Sequence, residues 1–447
     1  MSDAPKTDTS IGASLGERLR KAVLFEPGEV RPLLISSAYF FCVLAAYYIV
    51  RPIREEMGIK VGRDGLQTLF TVVFFVMVAA VPLFGWVATR FKRGAVVPVV
   101  YGFFIANLIL FWAAFTAGIG STWLAGAFFV WVSVFNLFVI SLFWSLMSDL
   151  WSSGQAKRLY GAIAAGGTAG AFCGPLLTKI LVKPLGATNL LLVSVGLLCL
   201  SLACVAALRG MKQQGDKGTD AGPAKLSDIV AGATNVWRSP YLFQIALVIL
   251  LANLISTYFY FEQNRIIGAT IADQDARVEL FASIDLSVSV LTILAQLFLT
   301  GSLMNRLGIG LTAAALPLTV IVGLIAIAIS PSLWVIVSVV VVERAVAFAF
   351  ANPAFKVLYT VVDPDDKYKA QNFIDTVVYR GGDAASGWLF NDFAKKAALS
   401  MPVIALMTLP LAIWWLWLAL KLGRRQTELA KSQAATRTAS SLFSVAR

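Results

Sequence analysis

Long apolar runs recur along the whole chain, separated by short polar or charged segments. Many runs reach the roughly 20 residues that a helix needs to cross a bilayer. Because backbone groups in lipid must be paired within their own segment, we predict that these runs are helices. Twelve spans are predicted, at residues 33–50, 66–89, 95–117, 123–147, 159–181, 189–208, 241–261, 278–303, 311–330, 333–354, 371–393 and 402–422.

The composition agrees with a lipid environment. Hydrophobic residues make up 58% and charged residues 14% of the 447 positions, which is more apolar and less charged than ordinary soluble domains. The chain is therefore predicted to be an all-α membrane protein with twelve transmembrane helices.

A Gly-, Lys- and Asp-rich stretch divides the spans six and six, which is typical of a solvated linker. Predicted units are an N-terminal arm (1–31), a six-helix bundle (32–209), a linker (210–239), a second six-helix bundle (240–423) and a basic tail (424–447). Within the arm, Ile11–Leu24 could form an interfacial helix or remain a short disordered segment.

Most Lys and Arg residues of the connections fall on the side that also holds both termini. The positive-inside rule assigns that side to the cytoplasm, and we expect a multi-pass protein of a bacterial inner membrane. The net charge of +12 is mostly this topology signal, so no nucleic-acid partner is expected. The polar, acidic N-terminus does not resemble a cleavable signal peptide.

The two halves of the chain echo each other. Gly85 corresponds to Gly301, and Asp149 to Asp363, at nearly the same offset. The stretch Gly301–Gly308 resembles the short cytoplasmic loop signature of the major facilitators. Two parallel six-helix repeats around a central cavity are the arrangement of that superfamily, and we expect it here.

The first span ends unusually, in "YFFCVLAAYYIVRPIREEMG", where an aromatic helix runs straight into charge. The equivalent helix of the second repeat ends in "YFYFEQNR". Pro52 removes a helical hydrogen bond, which favours a functional role for the nearby Arg54. These charged ends suggest a gate or substrate funnel, although snorkelling to the membrane surface would also explain them. The residues concerned are Arg51, Arg54, Glu55, Glu56, Glu262 and Arg265.

Ionisable residues inside predicted spans need a reason, because each costs roughly 2.5–3.5 kcal/mol even on insertion scales. Arg380 and Asp383 share a helical face and could neutralise each other. Glu343 and Arg344 are adjacent, so at least one must reach a partner on another helix. Asp285 has no local partner and is a candidate cation or proton site, with a helix–helix hydrogen bond as the alternative.

The inventory of reactive residues argues against an enzyme. The chain has no histidine, and its four cysteines lie in apolar spans without metal-ligand spacing. Metal-dependent hydrolases and Ser–His catalytic sites usually need a histidine, which this chain does not have. No metal or cofactor is expected.

Four stretches resemble the ATP/ADP translocase family, the nucleotide transporters of plastids and obligate intracellular bacteria. They are the end of the first span, "LFWSLMSDLWSSGQAKRLYGAIAAGG", "ELFASIDLSVS" and "ANPAFKVLYTVVDPDDKYKAQNFIDTVV". The resemblance implies a twelve-span nucleotide transporter. At the family's nucleotide-contacting positions, Arg54 replaces a lysine, Val132 and Tyr260 replace acids, and Asp383 replaces a lysine.

We therefore predict a secondary transporter that works by alternating access on a small anionic, phosphorylated or nucleotide-like solute, as a monomer in the bilayer. Predicted substrate-binding residues are Tyr47, Arg51, Arg54, Tyr260, Arg265, Arg344 and Arg380, and predicted coupling or gating residues are Glu55, Glu262, Asp285, Glu343 and Asp383. A lipid or amphiphile flippase is the alternative, because tyrosines such as Tyr48 and Tyr258 suit bulky apolar bodies. A membrane receptor or scaffold without flux is a third possibility.

Overall fold

The computed structural model describes residues 28–90, 93–209, 226–396 and 399–445. All of the regular structure in these residues is helical. The α-helices are α1 (Val30–Arg90), α2 (Arg93–Thr116), α3 (Thr122–Leu150), α4 (Ser153–Leu185), α5 (Leu190–Arg209), α6 (Leu226–Arg238), α7 (Pro240–Thr270), α8 (Gln274–Ala295), α9 (Gly301–Ile329), α10 (Leu333–Val346), α11 (Asn352–Leu358), α12 (Pro364–Phe373), α13 (Tyr379–Lys396) and α14 (Met401–Val445).

Nine helical segments of the described chain are long and apolar enough to cross a membrane. Two of these segments each contain two predicted spans, because α1 reverses at Gly62 and α9 reverses at Gly308. Both glycines have φ near +79° or +77°, a backbone region that side chains with a Cβ rarely adopt. The eleventh predicted span corresponds to α12 and α13, which are helical but less apolar. The predicted all-α membrane fold is confirmed.

Short connections between helices are supported by side-chain caps. Ser121, Ser239 and Asp273 each accept a hydrogen bond from a backbone N–H of the helix that follows. Ser152 forms a complete capping box with Gln155 at the start of α4. Such caps satisfy backbone donors that have no partner within the helix, so each helix begins at a defined residue despite the short connection.

Each half of the chain has its own hydrophobic core. One cluster of buried residues comes from positions 33–208 together with Val278, and a second cluster comes from positions 236–422. In the first half, α4 packs closely on α1 through small residues: a Cβ added at Gly166 or Gly170 would lie 2.4 Å from the carbonyl oxygen of Ser37 or Phe41. The glycine stripe in the fifth predicted span therefore serves close helix packing.

The linker is not entirely the solvated coil that its composition predicts. Residues Leu226–Arg238 form the amphipathic helix α6, which packs on α12. Gly232 lies against the backbone of Lys369, and Asn235 donates a hydrogen bond to Asp366. The Gly- and Lys-rich composition that predicts a solvated linker belongs to residues 210–225 and not to the helix that follows. Residues 210–225 lie outside the described residues, and so does the predicted interfacial helix Ile11–Leu24.

Part of the predicted basic tail (424–447) is helical, because α14 continues without interruption to Val445. We use two names for the ends of the bundle. The linker end is the end where α6 and α12 pack together. The Gly62 end is the opposite end, where Gly62 and the connections 186–189 and 271–273 come together.

Candidate functional site: a charged cavity between the two halves

A cavity of about 540 Å³ lies between the two halves. It reaches from Arg51 and Arg54 in α1 to Lys356 and Asp375 near the linker end, where both of those side chains are exposed. Ten charged residues line it: Arg51, Arg54, Glu55, Asp285, Glu343, Arg344, Lys356, Asp375, Arg380 and Asp383.

One face of α7 supplies the neutral polar lining. Asn253, the adjacent pair Ser256 and Thr257, and Tyr260 recur every three or four residues and all line the cavity. This spacing places them on one side of a helix. Of these four residues, only Tyr260 was predicted as a site residue. The other three are also recognisable in the sequence, as polar positions at helical spacing within an apolar segment.

Asp285 bridges the two halves through arginines. Its Oδ1 lies 3.2 Å from Nη1 of Arg51 in the first half and 2.8 Å from Nη2 of Arg344 in the second half. The Asp285 side chain is only 4% exposed. Asp285, which has no charged partner nearby in the sequence, thus forms ion pairs with two arginines in the structure. These buried charges compensate one another.

Arg54 belongs to a second cluster that also joins the halves. Its Nη1 lies 2.9 Å from Oε1 of Glu55, and its guanidinium carbon lies 3.8 Å from the centre of the Phe129 ring. Glu55 in turn accepts a hydrogen bond from the Tyr260 hydroxyl of α7. Arg54 therefore lines the cavity while being held by a carboxylate and by an aromatic face.

Pro52 has no N–H and so leaves the carbonyl of Tyr48 without its helical donor, but it does not break the helix near Arg54. Within α1 the backbone leaves helical φ and ψ values at Gly62, ten residues later. A proline is tolerated inside a membrane helix when packing on both sides holds the helix together, and Ile49, Val50 and Ile53 are all buried. The position of Arg54 is thus set by regular helical geometry.

The other predicted coupling acids lie in the second half of the cavity. Glu343 accepts a hydrogen bond from the Ser256 hydroxyl. Asp383 accepts one from Thr257 at 2.9 Å and pairs with Arg380 at 3.4 Å. Arg380 and Asp383 do pair with each other, as their three-residue spacing predicts.

Three predicted site residues do not line the cavity: Tyr47, Glu262 and Arg265. Tyr47 packs against Tyr48, one turn before Arg51. The structure places Arg265 outside this cavity rather than opposite Arg54, for a reason of helical phase. Residues of an α-helix are about 100° apart, so Arg265 points about 140° away from the Tyr260 face, and Glu262 points farther still.

The cavity carries equal numbers of basic and acidic side chains, five of each. An anionic solute must therefore compete with carboxylates for the guanidinium groups. Among the described residues, no group of three His, Cys, Asp or Glu side chains could hold a metal ion.

Two of the π-helical segments contribute to the lining. Residues Ala347–Ala351 and Ile374–Val378 are π-helical, and Ala347, Phe348 and Asp375 line the cavity. The first segment follows α10 and the second precedes α13, and both of these helices carry charged residues that line the cavity. Such segments are rare and often occur at functional sites, because they shift the side chains that follow.

Several polar contacts join the halves at the Gly62 end. Arg277 of α8 binds Glu56 of α1 with two hydrogen bonds, of 2.6 and 2.8 Å. Lys60 donates a hydrogen bond to Gln274 at 2.8 Å, and Lys183 pairs with Glu279 at 3.2 Å. The buried pair of Arg277 and Glu56 is the main contact that holds the Gly62 end together, whereas the cavity extends toward the linker end.

A membrane protein in which two helical halves enclose a charged cavity has the architecture of a solute transporter. Residues 146–387, more than half of the chain, match the family model of the Major Facilitator Superfamily. The chain belongs to this superfamily, and the superfamily and the fold support a membrane transporter.

Solved transporters share this fold. The bacterial homologue of the iron transporter ferroportin, in an inward-facing state, has a TM-score of 0.62 and 14% identity, covering 89% of this chain and 100% of that one. The nucleoside transporter NupG has a TM-score of 0.59 and 14% identity, with coverages of 89% and 98%. The POT family transporter PepTSo has a TM-score of 0.58 and 14% identity, with coverages of 90% and 98%. No curated protein matches the chain at a significant level.

Proposed function

We propose that the chain is a secondary transporter for an anionic solute that carries a phosphate group, with a nucleotide as the leading candidate. The observation that carries this proposal is the convergence of three cavity arginines, Arg51, Arg54 and Arg344, on two carboxylates. Guanidinium groups bind phosphate through paired hydrogen bonds. The resemblance to the ATP/ADP translocase family supports the nucleotide as the first solute to test.

Aromatic side chains next to these arginines suit the rest of such a solute. Phe70 and Tyr260 line the cavity, and their ring centres lie 5.3 Å apart. Aromatic faces stack on nucleobases, typically contributing about 1–3 kcal/mol per base. The cavity can therefore offer charge to a phosphate and aromatic surface to a base.

Competition for the arginines would couple binding to the conformational change. Asp285 holds Arg51 across the two halves. A phosphate that takes Arg51 and Arg344 from Asp285 would break this link and let the halves move relative to each other. Differential binding to one conformation is what a ligand needs to shift the equilibrium between two states. Asp285 or another freed cavity acid could then bind the coupling cation or proton.

The orientation of the protein in the membrane is inferred from the Lys and Arg residues in the connections between helices. If the linker end faces the cytoplasm, as the positive-inside rule predicts, the structure corresponds to an inward-open state. Both termini would then be cytoplasmic, and the Gly62 end would face outward.

A screen of the purified full-length chain tests the solute class. Thermal unfolding is measured with nucleotides, sugar phosphates and lipids, and binding of radiolabelled ADP is then compared in wild type, Arg54→Lys and Arg54→Ala. Hydrogen bonds to charged groups contribute about 1.5–3 kcal/mol. The alanine variant should therefore bind about ten- to a hundredfold more weakly, with lysine between it and wild type. Lys183→Gln, far from the cavity, is the control.

Two results would contradict the proposal. Stabilisation by lipids with no response to any phosphorylated solute would favour the flippase alternative. ADP affinity that stays within about twofold of wild type in Arg54→Ala would remove Arg54 from the binding site.

A further inference from the structure

A second, smaller pocket lies between the halves at the Gly62 end. It has a volume of about 250 Å³ and is lined by Gly62 and Arg63 of α1 and by Phe261, Asn264 and Arg265 of α7. None of these residues lines the central cavity. We call it the Gly62 pocket.

The charges at the Gly62 pocket are unbalanced. Nη2 of Arg63 lies 3.5 Å from Oε1 of Glu262, and Nε of Arg265 lies 2.7 Å from Oε2 of the same carboxylate. Within the described residues, both arginines thus share one buried carboxylate. One positive charge in this group remains available to an anion.

Two buried polar atoms of the pocket also lack partners among the described residues. Asn264 is 4% exposed, and although its Nδ2 donates to the carbonyl of Tyr260 at 2.9 Å, its Oδ1 has no hydrogen-bond partner. The Nε of Arg63 is buried and unpaired as well. An unsatisfied buried polar group costs about 1–3 kcal/mol, and more when it is charged. The pocket therefore presents one unused donor and one unused acceptor.

We propose that the Gly62 pocket binds a small oxyanion that carries a hydroxyl group, with hydrogen phosphate as the simplest example. Its negative charge matches the excess of guanidinium over carboxylate. An oxygen of the anion accepts from Nε of Arg63, and its O–H donates to Oδ1 of Asn264. Sulfate and chloride have no donor for Asn264, so they fit the same pocket less well.

The position of this site gives it a consequence for the transport cycle. Arg63 belongs to the first half, whereas Asn264 and Arg265 belong to the second half. An oxyanion bound to all three bridges the halves at the Gly62 end. It therefore stabilises the conformation in which the central cavity reaches the linker end, whatever solute that cavity carries.

Equilibrium binding of radiolabelled inorganic phosphate to the purified full-length chain tests this site. Asn264→Leu keeps the side-chain size and removes the acceptor, so phosphate should bind at least about tenfold more weakly. Arg63→Gln should weaken binding similarly. Lys60→Gln, which alters an exposed contact at the same end, should stay within about twofold of wild type. Arg54→Gln, which alters the central cavity, reports whether phosphate binds there instead. Sulfate should compete at least about tenfold more weakly than phosphate.

Three outcomes would overturn the proposal. Wild type that does not bind phosphate would leave a pocket that holds only solvent. Binding that survives unchanged in both Asn264→Leu and Arg63→Gln would place the anion elsewhere. Binding lost in Arg54→Gln but kept in Arg63→Gln would assign phosphate to the central cavity. Gel filtration of each variant shows whether it is folded, and Asn264→Leu leaves all charges in place if Arg63→Gln fails to fold.

Discussion

The ion pair between Glu56 and Arg277 should determine which end of the bundle is closed. Glu56 is fully buried and accepts two hydrogen bonds from Arg277, at 2.6 and 2.8 Å, and the two residues belong to different halves. Removing one partner of a buried ion pair typically costs about 3–5 kcal/mol, because the other charge stays buried without compensation. Glu56→Gln should therefore destabilise the conformation that is closed at the Gly62 end.

The cost of an uncompensated buried charge also gives the expected size of the shift between the two conformations. The opposite conformation must separate these two residues, so it loses little from the substitution. A change of about 3 kcal/mol shifts the ratio of two conformations more than about a hundredfold. Replacing both partners, in Glu56→Gln with Arg277→Gln, leaves no buried charge and should restore a ratio close to that of wild type.

Cysteine labelling measures this ratio without knowledge of the solute. The four native cysteines are replaced, and Ala252→Cys places one thiol on the cavity wall. An impermeant maleimide is added to vesicles of each orientation. In Glu56→Gln, labelling from the Gly62 side should rise by at least about tenfold. Lys183→Gln should change it little, because the Lys183 side chain is 73% exposed.

The labelling can refute the reasoning in two ways. If Glu56→Gln labels like wild type from both sides, the ion pair does not hold the Gly62 end closed. If the double variant shifts as far as Glu56→Gln alone, the effect does not come from an uncompensated charge.

Three further predictions use different measurements. Asp285→Asn should retain ADP exchange in loaded proteoliposomes but lose concentrative uptake, because an amide cannot bind the coupling cation or proton; wild-type behaviour in both assays would remove Asp285 from the mechanism. Gly170→Ala should destabilise the protein by about 1–3 kcal/mol in thermal unfolding, since its Cβ would meet a carbonyl of α1, whereas Gly161→Ala, with open space around it, should not. Reporter fusions within residues 209–225 and after Arg424 should both report a cytoplasmic location, and an external signal at either point would contradict the two-repeat topology.

The membrane fold could be predicted from the sequence because lipid imposes strong rules on a chain. Apolar length indicates each span, and intramembrane charges such as Asp285 and Arg344 stand out against it. Their partners could not be predicted. Helical spacing specifies which face of a helix a residue occupies, but not which other helix packs against that face. The contact of Arg51 with Asp285 joins residues that are far apart in the sequence.

The errors have physical causes as well. Arg265 was predicted to line the cavity because it matches Arg54 in the sequence repeat. Matching positions in two repeats need not direct their side chains toward the same cavity. The polar stripe of Asn253, Ser256 and Thr257 was missed because neutral polar residues barely change the hydropathy of a span. The π-helical segments Ala347–Ala351 and Ile374–Val378 have no sequence signature that separates them from regular helix.

The reversal of α1 at a single glycine affects how this protein meets its surroundings. Because the chain turns back at Gly62 and the connections 117–121, 186–189 and 271–273 are only three to five residues long, the described turns of the Gly62 end offer little free backbone. Proteases and inserted segments need exposed, flexible loops. An affinity tag or a fluorescent domain is therefore poorly placed at any of these described turns.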